Sequence, residues 1–127
     1  MSWASRLALL ALIFAPTGSS AEPSKSDFDM WIDGNQLWET CGSTIDGHVP
    51  AGCFMYVAGS LDNYEIMKRF VGRDPVICRN QGLTPIQAAD VVRRYLSEHP
   101  ESRHSAAASL VFVAMAKAFP CAATAPH

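Results

Sequence analysis

The sequence predicts an all-α fold, a small disulfide-stapled bundle of about four helices. Apolar residues recur at helical spacing in several stretches, most clearly between residues 83 and 121. An apolar export signal opens the chain, and an even number of cysteines follows it. In an oxidising compartment that combination indicates disulfides. The length of 127 residues is sufficient for one domain.

Residues 1–21 are predicted to form a secretory signal peptide. Arg6 precedes an apolar run from Leu7 to Ala15, and small residues lead to a cleavage position after Ala21. The nine-residue run is too short to anchor the chain in a membrane. We therefore expect a mature single domain of residues 22–127 that is not attached to the membrane.

A short first helix is predicted after the turn and cap signal Asp33-Gly34-Asn35. Leu37, Trp38 and Cys41 share one side of this helix, and Gly42 ends it. Trp38, together with Trp31 ahead of the cap, is expected to fill the core; an exposed aromatic that binds a partner is the alternative.

The second helix is predicted from Cys53 to Val71 and carries two apolar faces. Tyr56, Ile66 and Phe70 lie opposite the broader face. Two apolar faces require two neighbours, so the second face meets either other helices of this chain or another chain, a homodimer included. Gly59 is less favourable than Ala inside a helix by about 1 kcal/mol, which suggests that another helix approaches closely there.

The third helix has the clearest start in the sequence. Thr84 can cap a free N–H, Pro85 fits the first helical position, and Gln87 can reach back to the cap. His99-Pro100 ends this helix, because Pro excludes the helical conformation from the residue before it. A fourth, largely apolar helix is predicted from Ser102 to Phe119, and its uncharged run is shorter than the roughly 20 residues that a bilayer requires.

The four cysteines are predicted to form two disulfides rather than a metal site, because there is no CxxC pair and the histidines show no ligand spacing. In an up-and-down bundle the helix ends alternate between two poles. Cys41 and Cys53 then fall at one pole, and Cys78 and Cys121 at the other. Of the three possible connectivities, the pairs Cys41–Cys53 and Cys78–Cys121 are therefore favoured.

The charge and the missing motifs exclude several functions. Without Arg6 the chain has nine basic and twelve acidic residues, a net charge of −3, whereas nucleic-acid binding usually requires a basic stripe. The same excess lies in residues 22–33, which form either a solvated lead-in or an acidic arm for a basic partner. No nucleophile elbow, phosphate loop or HExxH motif is present. We expect no enzyme, no cofactor and no metal, and a protein that acts through its surface.

The loop from Gly42 to Gly52 is the candidate binding segment. It is rich in turn-forming residues and lies between two cysteines, so it would be an exposed loop clipped to a rigid scaffold. A plain connector is the alternative. The candidate contacts are Asp46, Gly47 and His48, and we interpret His48 as a solvent-facing residue because no nucleophile lies beside it.

Taken in order along the chain, these features resemble the Rap/Tai family of immunity proteins over nearly the whole mature part. The resemblance is carried by Gly34-Asn35, Cys41, Cys53, Tyr56, Gly59, Asp62, Cys78, Leu83-Thr84, Val91, Val92, Tyr95, Leu96, His99-Pro100-Glu101, Arg103-His104 and Ala118-Phe119-Pro120-Cys121. It implies a small helical periplasmic protein that binds and blocks a peptidoglycan amidase effector of a type VI secretion system. An amidase of this kind offers a cleft with a catalytic Cys and His, which a loop or helix end would occlude.

The alternative function is a small periplasmic chaperone of the acid-stress type, which would expose apolar faces on protonation. The four histidines and the second apolar face of the Cys53 helix favour it. Reversible loosening and binding of a hydrophobic dye at acid pH would separate this function from that of a disulfide-clamped immunity protein.

Overall fold

The computed structural model describes residues 30–122 as a bundle of four α-helices. They are α1 (Gly34–Cys41), α2 (Ala51–Val71), α3 (Pro85–Glu98) and α4 (Ala107–Ala118), with a short 3-10 turn (Pro100–Ser102) between α3 and α4. The predicted signal peptide and the lead-in up to residue 29 lie outside the described residues. The all-α prediction is confirmed. Among residues 30–122, no helix has the length and apolar character needed to cross a membrane.

Both predicted helix starts carry a complete capping box. The Asp33 carboxylate accepts from the backbone N–H of Gln36 at 2.9 Å, and the Gln36 side chain accepts from the backbone N–H of Asp33 at 3.0 Å. Thr84 and Gln87 make the same reciprocal pair at the start of α3. Each box satisfies two N–H groups that the first helical turn leaves without partners. α2 begins at Ala51, two residues before the predicted Cys53.

The fourth helix begins at Ala107, five residues later than predicted. Backbone pairing with the entry to α1 accounts for the difference. The N–H of Gly34 donates to the carbonyl of Ser105 at 2.9 Å, and the N–H of Ala107 donates to the carbonyl of Ile32 at 3.0 Å. These bonds hold the chain just before α4 in a bridge with the segment before α1, so the helix cannot start earlier.

The helix α3 lies at the centre of the core. It packs against α1, α2 and α4, and its buried positions Ala88, Ala89, Val92 and Leu96 are at most 1% exposed. Opposite them lie buried side chains of every other helix: Leu37 from α1, Val57 and Leu61 from α2, and Leu110, Val111, Ala114 and Met115 from α4. Among the described residues, no charged or polar side chain is buried.

The predicted disulfide pairs are confirmed. Cys41 bonds Cys53 and Cys78 bonds Cys121, and no cysteine is free. The first disulfide joins the end of α1 to the start of α2. The second ties the loop after α2 to the residues after α4, where the N–H of Cys78 also donates to the carbonyl of Phe119 at 2.8 Å. Each disulfide therefore closes one pole of the bundle.

The prediction that Trp31 fills the core is wrong, because its side chain is 96% exposed. The segment before α1 is not helical, and successive side chains of an extended chain point to opposite sides. Ile32 packs against the core, so Trp31 faces away from it. Trp38 does pack against the core, with the Arg103 guanidinium 4.2 Å from its ring centroid.

The loop from Gly72 to Gly82 is held by side chains of α2. The hydroxyl of Tyr64 accepts from the N–H of Val76 at 3.0 Å. Glu65 pairs with Lys68 at 2.6 Å and with Arg79 of the loop at 3.4 Å. The hydrogen bond from Lys68, with smaller contributions from neighbouring positive charges, lowers the pKa of the Glu65 carboxyl. The loop is therefore linked to α2 by polar contacts, and the Cys78–Cys121 disulfide links it to the residues after α4.

Gly34, the first residue of α1, packs closely against the backbone of Arg103, and this contact can be tested by substitution. A Cβ at this position would lie 2.7 Å from the backbone oxygen of Arg103, which cannot move without displacing the turn before α4. We expect Gly34→Ala to lower the free energy of unfolding by about 1–3 kcal/mol, as overpacked sites do. The measurement is chemical denaturation followed by circular dichroism.

Gly52→Ala is the matched control for that variant. A Cβ there would meet only the Thr40 methyl group, at 3.1 Å, and this exposed side chain can turn away. Removing a helical glycine should leave stability unchanged or raise it by up to about 1 kcal/mol. Equal stabilities for Gly34→Ala and the wild type would contradict the close approach.

Candidate partner-binding site

The loop between α1 and α2 folds into a small hairpin, which we call the Asp46 hairpin (residues 43–48). Ile45 and His48 exchange two backbone hydrogen bonds, of 2.8 and 2.9 Å. Asp46 and Gly47 form the tip, with φ values of 50° and 79°. Two successive residues at positive φ are typical of the tight turns that match the twist of a hairpin. The loop that the sequence predicted as irregular is therefore locally ordered.

All three candidate contacts, Asp46, Gly47 and His48, lie exposed at this tip. A Cβ on Gly47 would meet no atom within 4 Å, so the space beside the tip is open. The base of the loop is fixed instead. Val49 is only 6% exposed and belongs to the core, and the Cys41–Cys53 disulfide closes the loop behind it. The result is an exposed tip on a fixed base.

The tip presents a carboxylate, an imidazole and a glycine without side-chain bulk. It thus offers an acceptor, a group that can donate or accept, and a backbone that a partner can approach closely. His48 is solvent-facing, as the sequence indicated. The structure brings these three residues together; what they bind stays a prediction.

Among residues 30–122, no free cysteine is available as a nucleophile. All four cysteines are in disulfides, so no thiolate is present to attack a substrate. The histidine His99 stacks on Tyr95, and its Nδ1 lies 2.9 Å from the Tyr95 carbonyl oxygen, which is a structural contact at the end of α3. Ion pairs in residues 30–122 involve Lys and Arg with Glu65 and Asp90.

A second surface was not identified from the sequence as one continuous site. Nine of the eleven large apolar side chains that are exposed belong to α2, α4, the segment before α1 and the loop after α2. We call this surface the outer face; its exposed apolar members are Met30, Trp31, Met55, Ile66, Met67, Phe70, Val71, Val76 and Phe112. In the sequence, the second apolar face of α2 indicated part of this surface. Trp31 was predicted to lie in the core, so its place on the surface was not predicted.

Two shallow grooves mark the ends of the outer face. Trp31, Tyr56 and Ala108 line one, and Met67, Val76 and Phe112 line the other. Burial raises the pKa of the Tyr56 hydroxyl, and hydrogen bonds with Ser60 and the Ala108 backbone oppose the rise. Tyr64 and Phe112 pack with their ring centroids 5.5 Å apart. Of the second α2 face that the sequence predicted, Tyr56 packs against the core, whereas Ile66 and Phe70 are exposed, so other helices of the described chain cover only part of that face.

A family model described as Rap1a immunity proteins matches residues 33–121. The match extends from the Asp33 cap of α1 to the second disulfide, and it includes the Asp46 hairpin and all four cysteines. Comparisons with curated proteins and with solved structures give no match.

The two disulfides should differ in their reactivity toward thiols. Cys41 and Cys53 are completely buried, whereas Cys78 is exposed and Cys121 is partly exposed. Because thiolate attack requires access to a sulfur atom, we expect mild reductant without denaturant to open Cys78–Cys121 first. Alkylation over a time course, followed by peptide mass spectrometry, measures the order. Earlier labelling of Cys41 or Cys53 would contradict the buried base of the hairpin.

Proposed function

The chain belongs to the Rap1a immunity protein family, and we propose that it neutralises a peptidoglycan amidase effector of a type VI secretion system in the periplasm. Family membership implies a toxin effector as the partner. The amidase class and the periplasmic site are our proposals. They are supported by the resemblance of the sequence to immunity proteins and by the export signal that residues 1–21 predict.

The proposed mechanism is steric occlusion of the active-site cleft by the Asp46 hairpin. A blocking segment must fit into a groove. A segment that already has its bound shape binds more tightly, because it loses little conformational entropy on binding. The observation that carries the proposal is the combination of an exposed Asp46-Gly47 tip and a base held by Val49 and the Cys41–Cys53 disulfide.

The chemistry of the tip suits a cleft that contains a catalytic Cys and His. The Asp46 carboxylate would pair with a protonated imidazole, and the His48 ring would donate or accept a hydrogen bond at the rim. Neither interaction requires the immunity protein to react. Immunity proteins of this family are generally not enzymes, and we propose the same for this chain.

The acid-stress chaperone is less well supported. A fold that loosens on protonation typically contains buried ionisable groups whose charge state changes. Within residues 30–122 every carboxylate and histidine is at least partly exposed, and both poles are closed by disulfides. The described structure therefore has no buried carboxylate or histidine, and the acid-sensitive contact that it does have, the pairing of Glu65 with Lys68 and Arg79, lies at the surface.

The hairpin proposal is tested with the double variant Asp46→Trp/His48→Trp. Two bulky side chains at the tip should prevent its insertion and weaken binding to the cognate amidase severalfold or more. Both positions are exposed, but Asp46 has a φ of 50°, which a bulky residue rarely adopts, so circular dichroism and thermal unfolding must show that the bundle of the variant is intact. Calorimetry gives the affinity, and an amidase assay on peptidoglycan gives the inhibition.

The matched control is Asp74→Trp/Asn80→Trp, which adds the same bulk to exposed positions of the other loop. It should bind as the wild type does. Unchanged affinity in the hairpin variant would remove the Asp46 hairpin from the interface. Failure of the wild type to bind any amidase encoded beside it would overturn the amidase proposal itself.

A further inference from the structure

The folded protein presents its two disulfides very differently. Cys41 and Cys53 are 0% exposed and belong to the core, whereas Cys78 is exposed and Cys121 is partly exposed. Thiol–disulfide exchange requires a thiolate to reach one of the two sulfur atoms. A thiolate can approach the Cys78–Cys121 disulfide in the intact bundle, but it can reach Cys41–Cys53 only after the core has opened.

A groove of about 520 Å³ lies beside Cys78. Glu65 and Lys68 of α2 line part of it, and its other lining residues, Cys78 included, belong to residues 75–83 of the following loop. A space of this size accepts far more than a small thiol, and it can hold a short peptide segment. The amide side chains of Asn80 and Gln81 offer hydrogen-bond donors and acceptors to such a segment.

Contacts other than the disulfide hold both cysteines in place. Ile77, next to Cys78, is 3% exposed and forms a backbone bridge with Pro120, next to Cys121. The N–H of Cys78 donates to the carbonyl of Phe119 at 2.8 Å. The loop is also bonded to α2 through its polar contacts. Opening the S–S bond therefore does not by itself release the loop, and the bundle can undergo exchange while it stays folded.

We propose that the Cys78–Cys121 disulfide is a site of thiol–disulfide exchange with a dithiol oxidoreductase of the Cys-X-X-Cys class, whose active-site segment binds in this groove. A size match to a peptide segment favours a protein partner over a small thiol. The surface that such a partner would use lies at the pole opposite the Cys41–Cys53 disulfide.

The exchange takes place in two balanced steps. The partner's first thiolate bonds to the Cys78 sulfur, and the electron pair of the broken S–S bond leaves on the Cys121 sulfur, which takes up a proton. The partner's second thiolate then attacks the partner's own sulfur in the mixed disulfide and releases Cys78, which is protonated in turn. The chain gains two electrons and two protons, and the partner's dithiol becomes a disulfide. The reverse steps close Cys78–Cys121 with an oxidised partner.

The exchange changes one pole of the bundle only. Cys41–Cys53 stays closed, so the base of the Asp46 hairpin keeps its covalent link. The reduced chain loses the restriction that a bridge between residues 43 positions apart places on the unfolded state. We therefore expect the reduced form to remain folded but to unfold at a lower temperature than the oxidised form.

The first experiment mixes the oxidised protein with a thioredoxin whose second active-site cysteine is replaced by serine, so that a mixed disulfide cannot be resolved. We expect a one-to-one covalent adduct while circular dichroism shows an intact bundle. After an acid quench, peptide mass spectrometry should place the bond at Cys78. A bond at any other cysteine, or no adduct in the absence of denaturant, would overturn the proposal.

Gln81→Trp tests the groove, because it adds bulk at an exposed lining position. It should slow adduct formation with the thioredoxin variant severalfold, whereas the rate of reduction by dithiothreitol should stay close to that of the wild type. Ser97→Trp is the matched control, which adds the same bulk to an exposed position near the other end of α3. It should react as the wild type does with both thiols. Equal rates for the two variants with thioredoxin would overturn binding in the groove.

The double variant Cys78→Ser/Cys121→Ser tests whether the fold survives exchange. We expect a helical circular dichroism spectrum like that of the wild type, a lower unfolding temperature and no adduct with the thioredoxin variant. An unfolded chain at room temperature would show that the remaining contacts do not hold this pole, and would overturn exchange in the folded protein. None of these measurements involves an amidase, so their outcome is independent of the proposed function.

Discussion

Every other helix of this small domain packs against α3, and this arrangement decides which surfaces remain. Ala88 and Ala89 keep the start of α3 thin enough for its neighbours to approach, and Val92 and Leu96 fill the space further along. The four helices enclose one shared core. α2 contributes Val57 and Leu61 to that core from its inner side, whereas no helix of the described chain packs on its outer side. The outer face is thus a direct consequence of how α3 is packed.

The sequence predicted those parts of the fold that local chemistry controls. The Thr84 and Asp33 caps are specified by side chains three residues apart, and the disulfide pairing follows from the alternation of helix ends between two poles. The predictions were wrong where backbone hydrogen bonds between distant segments determine the local structure. The start of α4 and the direction of Trp31 both depend on the bridge between Asp33 and Ala106, residues far apart in sequence. The periodicity of apolar residues along the sequence does not indicate such a contact.

The candidate site was predictable in its position but not in its shape. Two cysteines twelve residues apart and a run of turn formers indicated an exposed, clipped loop. The backbone hydrogen bonds between Ile45 and His48, and the depth to which Val49 anchors the loop, became visible only in three dimensions. The outer face required the same information, because its members come from four separate segments and no single segment contains enough of them.

The Cys78–Cys121 disulfide also constrains when the fold can be completed. Its partners are 43 residues apart, and the second lies after the last helix. In a chain that emerges N-terminus first, Cys41–Cys53 can close once the start of α2 has emerged, but the other pole must wait until the residues after α4 have emerged. A chain stalled during translocation would therefore have one closed pole and one open pole. Closure of the Cys78–Cys121 disulfide therefore requires that all four helices have emerged.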